Sequence, residues 1–149
     1  MTRKVYFKDT GVCIYVDTNV LRNYCTGQKA DVACLNFLFS KRKRNRLFTS
    51  TLAIGQTLSA IQKKNGKDKT LQIGQLFNDK MTFIDFTEKD VINSYNEKSI
   101  DIEDNMHFVV SRKKNCAIII TNDKTGFKKF DGITVIKPTK LGLLQTYID

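Results

Sequence analysis

The sequence predicts an α/β fold built on a parallel sheet, and three observations predict it. Val12, Cys13, Ile14, Tyr15 and Val16 form a near-continuous apolar run, as in a strand buried on both faces. The run ends abruptly in Asp17, Thr18 and Asn19, at the carboxyl end of a strand, where open α/β sheets place their ligand crevices. A second apolar run, Ala117 to Ile120, likewise ends in the polar residues Thr121, Asn122 and Asp123. Around these runs, strand-like and helix-like segments alternate almost throughout, the pattern of strand–helix–strand units.

Each element follows from local pattern. Residues 1–10 read as a mixed lead with a short extra strand through Val5, Tyr6 and Phe7. The first main strand, at about 12–17, passes into a short helix carrying Val20, Leu21 and Tyr24, which Thr26-Gly27-Gln28 breaks. A second helix starts near Asp31, with Val32, Leu35, Leu38 and Phe39 as its apolar stripe. The basic block 41–46 closes it, and Leu47, Phe48 and Thr49 read as a strand. Ser50 or Thr51 caps a third helix running to about Lys64, with Ile54, Leu58 and Ile61 on one side. Asn65-Gly66 stops it, the glycine supplying a left-handed turn. Leu71, Ile73, Leu76 and Phe77 suggest another short helix, and Met81 to Phe86 a third strand. Thr87 and Asp90, three apart, have the spacing of a capping box. A helix over 101–114 places Ile102, Met106, Val109 and Val110 on its core face. Strands at 116–121 and 133–136 follow, and Pro138 separates the last from a helix containing Leu141, Leu144 and Ile148. With no linker, repeat or low-complexity segment, 149 residues read as a single domain.

The chemistry concentrates in the acids. A carboxylate at a buried strand end needs a partner, because an isolated buried charge is expensive, and a divalent cation is the simplest one. Asp17 also suits the cap of the following helix. Asp101, Glu103 and Asp104 gather where another helix begins, which the helix dipole favours in part. Neither local effect explains why two buried-looking strands both finish in acids. Three acid-bearing ends converging on one sheet edge describe a metal-binding crevice.

The net charge of +10 comes from 25 Lys and Arg against 15 Asp and Glu, and a basic surface attracts polyanions. The densest block is Lys41, Arg42, Lys43, Arg44 and Arg46, the candidate nucleic-acid-binding segment. Lys63-Lys64, Lys67 to Lys69, Arg112 to Lys114 and Lys128-Lys129 are others, and each alone also reads as a solvated helix end. Acids in one pocket on a basic body fit a metal-dependent enzyme acting on nucleic acid. Cys13, Cys25, Cys34 and Cys116 have no C-x-x-C spacing, and the single His107 does not complete a zinc set. Apolar runs of about five residues fall far short of the roughly 20 that span a bilayer, so no membrane association is expected. The amino terminus lacks an apolar leader, which points to the cytoplasm.

With these residues placed, the chain resembles the PIN-domain family of metal-dependent nucleases over nearly its whole length. Tyr15 to Leu21 looks like that family's first strand with its leading aspartate, Ser50 to Leu58 like the segment bearing its second polar site, and Asp101 to Asn105 like the start of its closing half. Ile118 to Asp123, Phe127 and Ile133 to Pro138 continue the likeness. The resemblance implies a three-layer α/β/α fold with a central parallel sheet of about five strands, a Mg²⁺ or Mn²⁺ ion, and cleavage of RNA phosphodiesters. It gives Asp17, Asp104 and Asp123 as catalytic metal ligands, Asn19 and Thr121 as groups that orient them, and Asp101 or Glu103 as outer acids. The second position departs from the pattern, because Gln56 stands where many of these nucleases have Glu. His107 lies one turn past Asp104, as a surface or supporting residue. The reading is an endoribonuclease for single-stranded RNA, the toxin of a toxin–antitoxin pair with an antitoxin protein as partner. The alternative is a catalytically weakened module that binds RNA or protein. A phosphoacceptor receiver domain fits less well, since only Asp85 ends the third strand. Apolar helices near 31–46 and 52–64 suit a homodimer.

Overall fold

The computed structural model describes residues 11–148; the strand expected through Val5, Tyr6 and Phe7 lies outside them. Five strands, β1 (Ile14–Val16), β2 (Leu47–Ser50), β3 (Thr82–Ile84), β4 (Ile118–Ile120) and β5 (Thr134–Ile136), form one sheet in the order β3-β2-β1-β4-β5. Every pairing is parallel. The helices are α1 (Thr18–Cys25), α2 (Lys29–Lys41), α3 (Thr51–Lys80), α4 (Glu88–Ser94), α5 (Ile102–Arg112), α6 (Lys124–Phe127) and α7 (Leu141–Ile148). Short 3₁₀ turns at Arg44–Arg46 and Pro138–Lys140 precede β2 and α7.

Alternation along the central strands sorts the core into two layers. Ile14, Val16, Leu47, Ile118, Ile120 and Ile136 face one side, where Leu21 of α1, Leu35 and Leu38 of α2, Phe77 of α3 and Leu144 of α7 cover them. Tyr15, Phe48, Ile84 and Ile119 face the other, against Phe108 and Val110 of α5 and the aromatic pair Phe127 and Phe130. The result is three layers, α/β/α, around five parallel strands. Because β1 and β4 are neighbours at the centre, paired Val16 to Ile120, the two polar strand ends recognised in the sequence emerge side by side.

The caps behave as their residue types dictate. Ser50 Oγ accepts from the N–H of Ala53 at the start of α3, and Thr87 and Asp90 form a reciprocal capping box on α4. Gly66 breaks the helical geometry inside α3 with φ 79° and ψ −179°, a conformation that suits glycine. The span Thr51–Lys80 is therefore two helices meeting at a kink, with the stop at Asn65-Gly66 and a second helix carrying Leu71, Ile73, Leu76 and Phe77 as expected. The core face of α5 differs from expectation as well. Ile102 is 43% exposed, while Asp104, Asn105, His107 and Phe108 are buried, because the helix turns its polar first turn toward the sheet edge. Among the described residues, no helix is long and apolar enough to cross a membrane.

Candidate active site

The carboxyl edge of the sheet opens into a crevice of about 190 Å³, room for several waters at about 30 Å³ each. Asp17, Asn19 and Arg22 line it from the end of β1 and from α1. Asp101, Asp104 and His107 come from α5 and its cap, and Asp123 from the turn after β4.

Asp17 directly follows β1 and is buried. It caps α1, with Oδ1 accepting from the N–H of Thr18 at 2.8 Å. It also takes part in a wider network. Thr121 donates to Asp17 Oδ2 at 2.7 Å, and Asn19 Nδ2 reaches the same oxygen at 3.2 Å. Asn19 Oδ1 in turn accepts from the Asn122 backbone N–H at 3.1 Å, and Asn122 Nδ2 donates to buried Asp31 of α2 at 2.8 Å. Capping and site-building are therefore one arrangement: the carboxylate that starts α1 is held from both central strands.

Behind Asp17, His107 is buried, with Nε2 3.4 Å from Asp17 Oδ1 and 3.2 Å from Thr18 Oγ1. Its Nδ1 lies 2.7 Å from the Tyr15 hydroxyl, which sits 2.8 Å from Ser50 Oγ. Burial above all raises the Tyr15 pKa well above its ordinary value, so the phenol keeps its proton. Thr18 Oγ1 donates to Gln56 Oε1 at 2.7 Å, which leaves the same oxygen to accept from His107 Nε2–H. Nδ1 is then the acceptor and Tyr15 the donor, giving one direction along Ser50, Tyr15, His107 and Thr18 to Gln56, with the amide orientation assigned from the network. Gln56 thus meets the site through Thr18 and does not line the crevice.

Asp104 is different. It is buried, and its Oδ2 has no hydrogen-bond partner, which is costly for a carboxylate. Burial first, then the carboxylates of Asp101, Asp123, Asp17 and Glu103, push its pKa up to about 7. Opposite it stands Gly126, where an added Cβ would collide with Asp104 Oδ2 and lie 2.8 Å from Asp123 Oδ2. The glycine opens a cradle between two carboxylates. Asp123 Oδ1 accepts from the Gly126 N–H at 3.1 Å, and the Asp123 N–H donates to Thr121 at 3.0 Å.

Among the described residues, no three His, Cys, Asp or Glu side chains form a ready-made cage. The donor set is an open one of oxygen ligands, and hard divalent cations take such oxygens. The orphaned oxygen and the open cradle fit a cation that completes them.

The sequence-predicted residues divide clearly. The structure brings Asp17, Asp104, Asp123, Asn19 and Thr121 to one sheet edge, with Asp101 and Glu103 at the crevice mouth, Asp101 also capping α5. The basic block expected to bind RNA lies apart from them. Lys41, Arg42, Lys43, Arg44 and Arg46 precede β2, at the amino edge of the sheet. The arginines there bind the protein itself: Arg42 to the Val12 carbonyl, Arg44 to the Asn78 carbonyl and Arg46 to Cys13 Sγ. Sequence reasoning missed Tyr15, Asp31 and Asn122, whose partners come from distant parts of the chain, and Arg22 in the crevice wall.

The model of the PIN-domain family matches residues 14–133. The chain belongs to the PIN-domain family. No curated protein matches the sequence. Solved structures similar to this PIN domain include VapC20 of Mycobacterium tuberculosis, described as a sarcin–ricin loop cleaving toxin. It has a TM-score of 0.61 and 15% identity, with 80% of this chain and 98% of that one covered. A toxin–antitoxin complex from Klebsiella pneumoniae gives a TM-score of 0.64 at 15% identity, covering 85% and 97%. DNA-bound VapBC from Salmonella typhimurium gives 0.64 at 14%, covering 85% and 98%. At such identities these likenesses concern the fold.

Proposed function

We propose that this PIN domain is a metal-dependent endoribonuclease that cleaves phosphodiesters in single-stranded RNA, and that it is the toxin of a toxin–antitoxin pair. The observation that carries the reading is the unsatisfied Asp104 Oδ2 in a cradle shared with Asp123, beside a firmly held Asp17. Asp17, Asp104 and Asp123 would hold Mg²⁺ or Mn²⁺, whose charge acidifies water and offsets charge building on the phosphate. The protein's own part is positioning. Thr18 N–H fixes one oxygen of Asp17, while Thr121 and Asn19 fix the other, so little reorganisation remains for the reaction step. Arg22 presents a cation at the crevice mouth, where a phosphate oxygen would meet it. The toxin assignment draws support from family membership and from the Mycobacterium tuberculosis and Klebsiella pneumoniae proteins named above.

The test is Mn²⁺ titration calorimetry beside cleavage of a generic single-stranded RNA. Wild type is expected to bind Mn²⁺ and cleave. Asp17→Asn and Asp104→Asn should fold and lose cleavage by roughly 100-fold or more. Full activity in either variant would sink the reading. Gln56 favours a second reading, a weakened binding module, because an amide replaces a charge beside Thr18. Metal binding with RNA affinity but no cleavage is its signature.

A further inference from the structure

The path leaving the acidic crevice carries cations that the protein itself does not use. Asn19 and Arg22 line both the crevice and a depression next to it that also includes Asn23, Thr26 and Lys64. Arg22, Thr26 and Lys64 in turn line a cleft bordered by Lys63, Ala60 and Ile61. Arg22 lines all three spaces, so they adjoin in a row, a groove that leads from Asp17, past α1, to α3. No acid lines the groove beyond the crevice. Arg22, Lys63 and Lys64 are exposed, and their side-chain cations have no hydrogen-bond or ion-pair partner among the described residues. The floor is apolar: Ala60 and Ile61 are joined by Cys25, whose thiol burial pushes up to about 11 and keeps uncharged. Helix-end electrostatics account for Arg22 in the last turn of α1 and for the lysines just before the Gly66 kink. They do not account for all three cations converging on one groove that opens into the crevice.

We infer that single-stranded RNA runs along this groove, with Arg22 on the phosphate beside the crevice, Lys63 and Lys64 on phosphates further along, and sugars or bases over the apolar floor. The chemistry is complementary: unpaired cations meet backbone phosphates, and a sequence-neutral apolar wall meets the rest of the strand. The inference rests on the ribonuclease reading for its substrate and replaces the 41–46 block as the RNA contact.

Fluorescence anisotropy of a fluorescein-labelled oligouridylate, in EDTA so that nothing is cleaved, tests it apart from catalysis. Lys63→Glu/Lys64→Glu should weaken binding by roughly tenfold or more. It should also flatten the slope of log affinity against log salt by about 1.4, or 0.7 for each lost single-strand phosphate contact. Lys63→Gln/Lys64→Gln should show a smaller loss of the same sign, with an unchanged circular dichroism spectrum. Lys41→Glu/Lys43→Glu should stay within about twofold of wild type, since these lysines stand away from the groove. Equal losses in both charge-reversal pairs would overturn the inference, as would unchanged affinity in the Lys63/Lys64 pair, which would leave the groove to a protein partner. If wild type binds RNA through these lysines yet cleaves nothing with Mn²⁺, the groove stands and the ribonuclease reading falls. If wild type cleaves and the lysine substitutions change neither cleavage nor binding, the ribonuclease reading stands and the groove falls.

Discussion

Asp104 is the residue where structure and function pull against each other. Its carboxyl is buried among four other acids, and its pKa rises from the ordinary range near 3.9 to about 7. Between those values the folded protein keeps the proton while the unfolded chain has released it. The unfolded state therefore binds fewer protons, and stability falls as pH rises through that window. The full shift sets an upper bound of about 4 kcal/mol, reduced by water reaching the crevice. Without divalent cation, the urea midpoint of wild type should decline from pH 4.5 to pH 8 more steeply than that of Asp104→Asn, and the variant should be the more stable protein at pH 8. Mn²⁺ should reverse the order by stabilising wild type alone, with an affinity that climbs toward about pH 7 and then levels as the carboxyl becomes fully ionised. Parallel pH profiles for the two proteins would mean that Asp104 is not the strained acid of the site.

At the scale of elements, what could be read in the sequence was whatever depends on near neighbours. The apolar runs of β1 and β4, the Thr87–Asp90 box and the break at Gly66 each rest on residues a few positions apart, and all are present. Asp17 was legible for the same reason, as the abrupt end of an apolar strand. The rotation of α5 was not legible, because the helix has apolar residues on more than one side. Its orientation is set by Asn105, which bonds both the N–H and the carbonyl of Ser99, and by His107 meeting Tyr15 across 92 residues of chain. The Asn122–Asp31 contact, 91 residues apart, was hidden likewise. The short α6 turn carries a prediction of its own. Gly126 has no positive φ to explain it; what requires glycine is the space its absent side chain leaves between Asp104 and Asp123. Gly126→Ala should thus weaken Mn²⁺ binding by roughly tenfold or more while lowering stability by about 1–3 kcal/mol, the ordinary cost of overpacking. Calorimetry and urea unfolding separate the two effects. Undiminished metal affinity would show that the cradle is not where the cation sits.

Across the whole molecule, charge is arranged by sheet edge. The acids gather at the carboxyl edge, and the densest basic block precedes β2 at the amino edge. Four residue steps of about 3.3 Å along β2 put Arg46 and Ser50 roughly 13 Å apart, beyond the Debye length of about 8 Å at physiological salt. Cations at that distance contribute little to a phosphate held in the crevice. They contribute locally instead, because Arg42 holds the Val12 carbonyl just before β1, and Arg44 joins the Asn78 carbonyl at the end of α3 to Thr82 of β3. The block is a clamp on the amino edge, and its density in sequence reflects three strands and a helix end that need tying together. Replacing both arginines, Arg42→Gln/Arg44→Gln, should lower the urea midpoint by the equivalent of about 1–2 kcal/mol, the scale of two partly exposed hydrogen bonds from charged donors. RNA affinity at physiological salt should stay within about twofold, since screening isolates the two edges. Urea unfolding and oligouridylate anisotropy on the same preparation decide it. A tenfold loss of RNA affinity with unchanged stability would mean that the strand wraps from one edge of the sheet to the other, and that the clamp is part of the substrate surface after all.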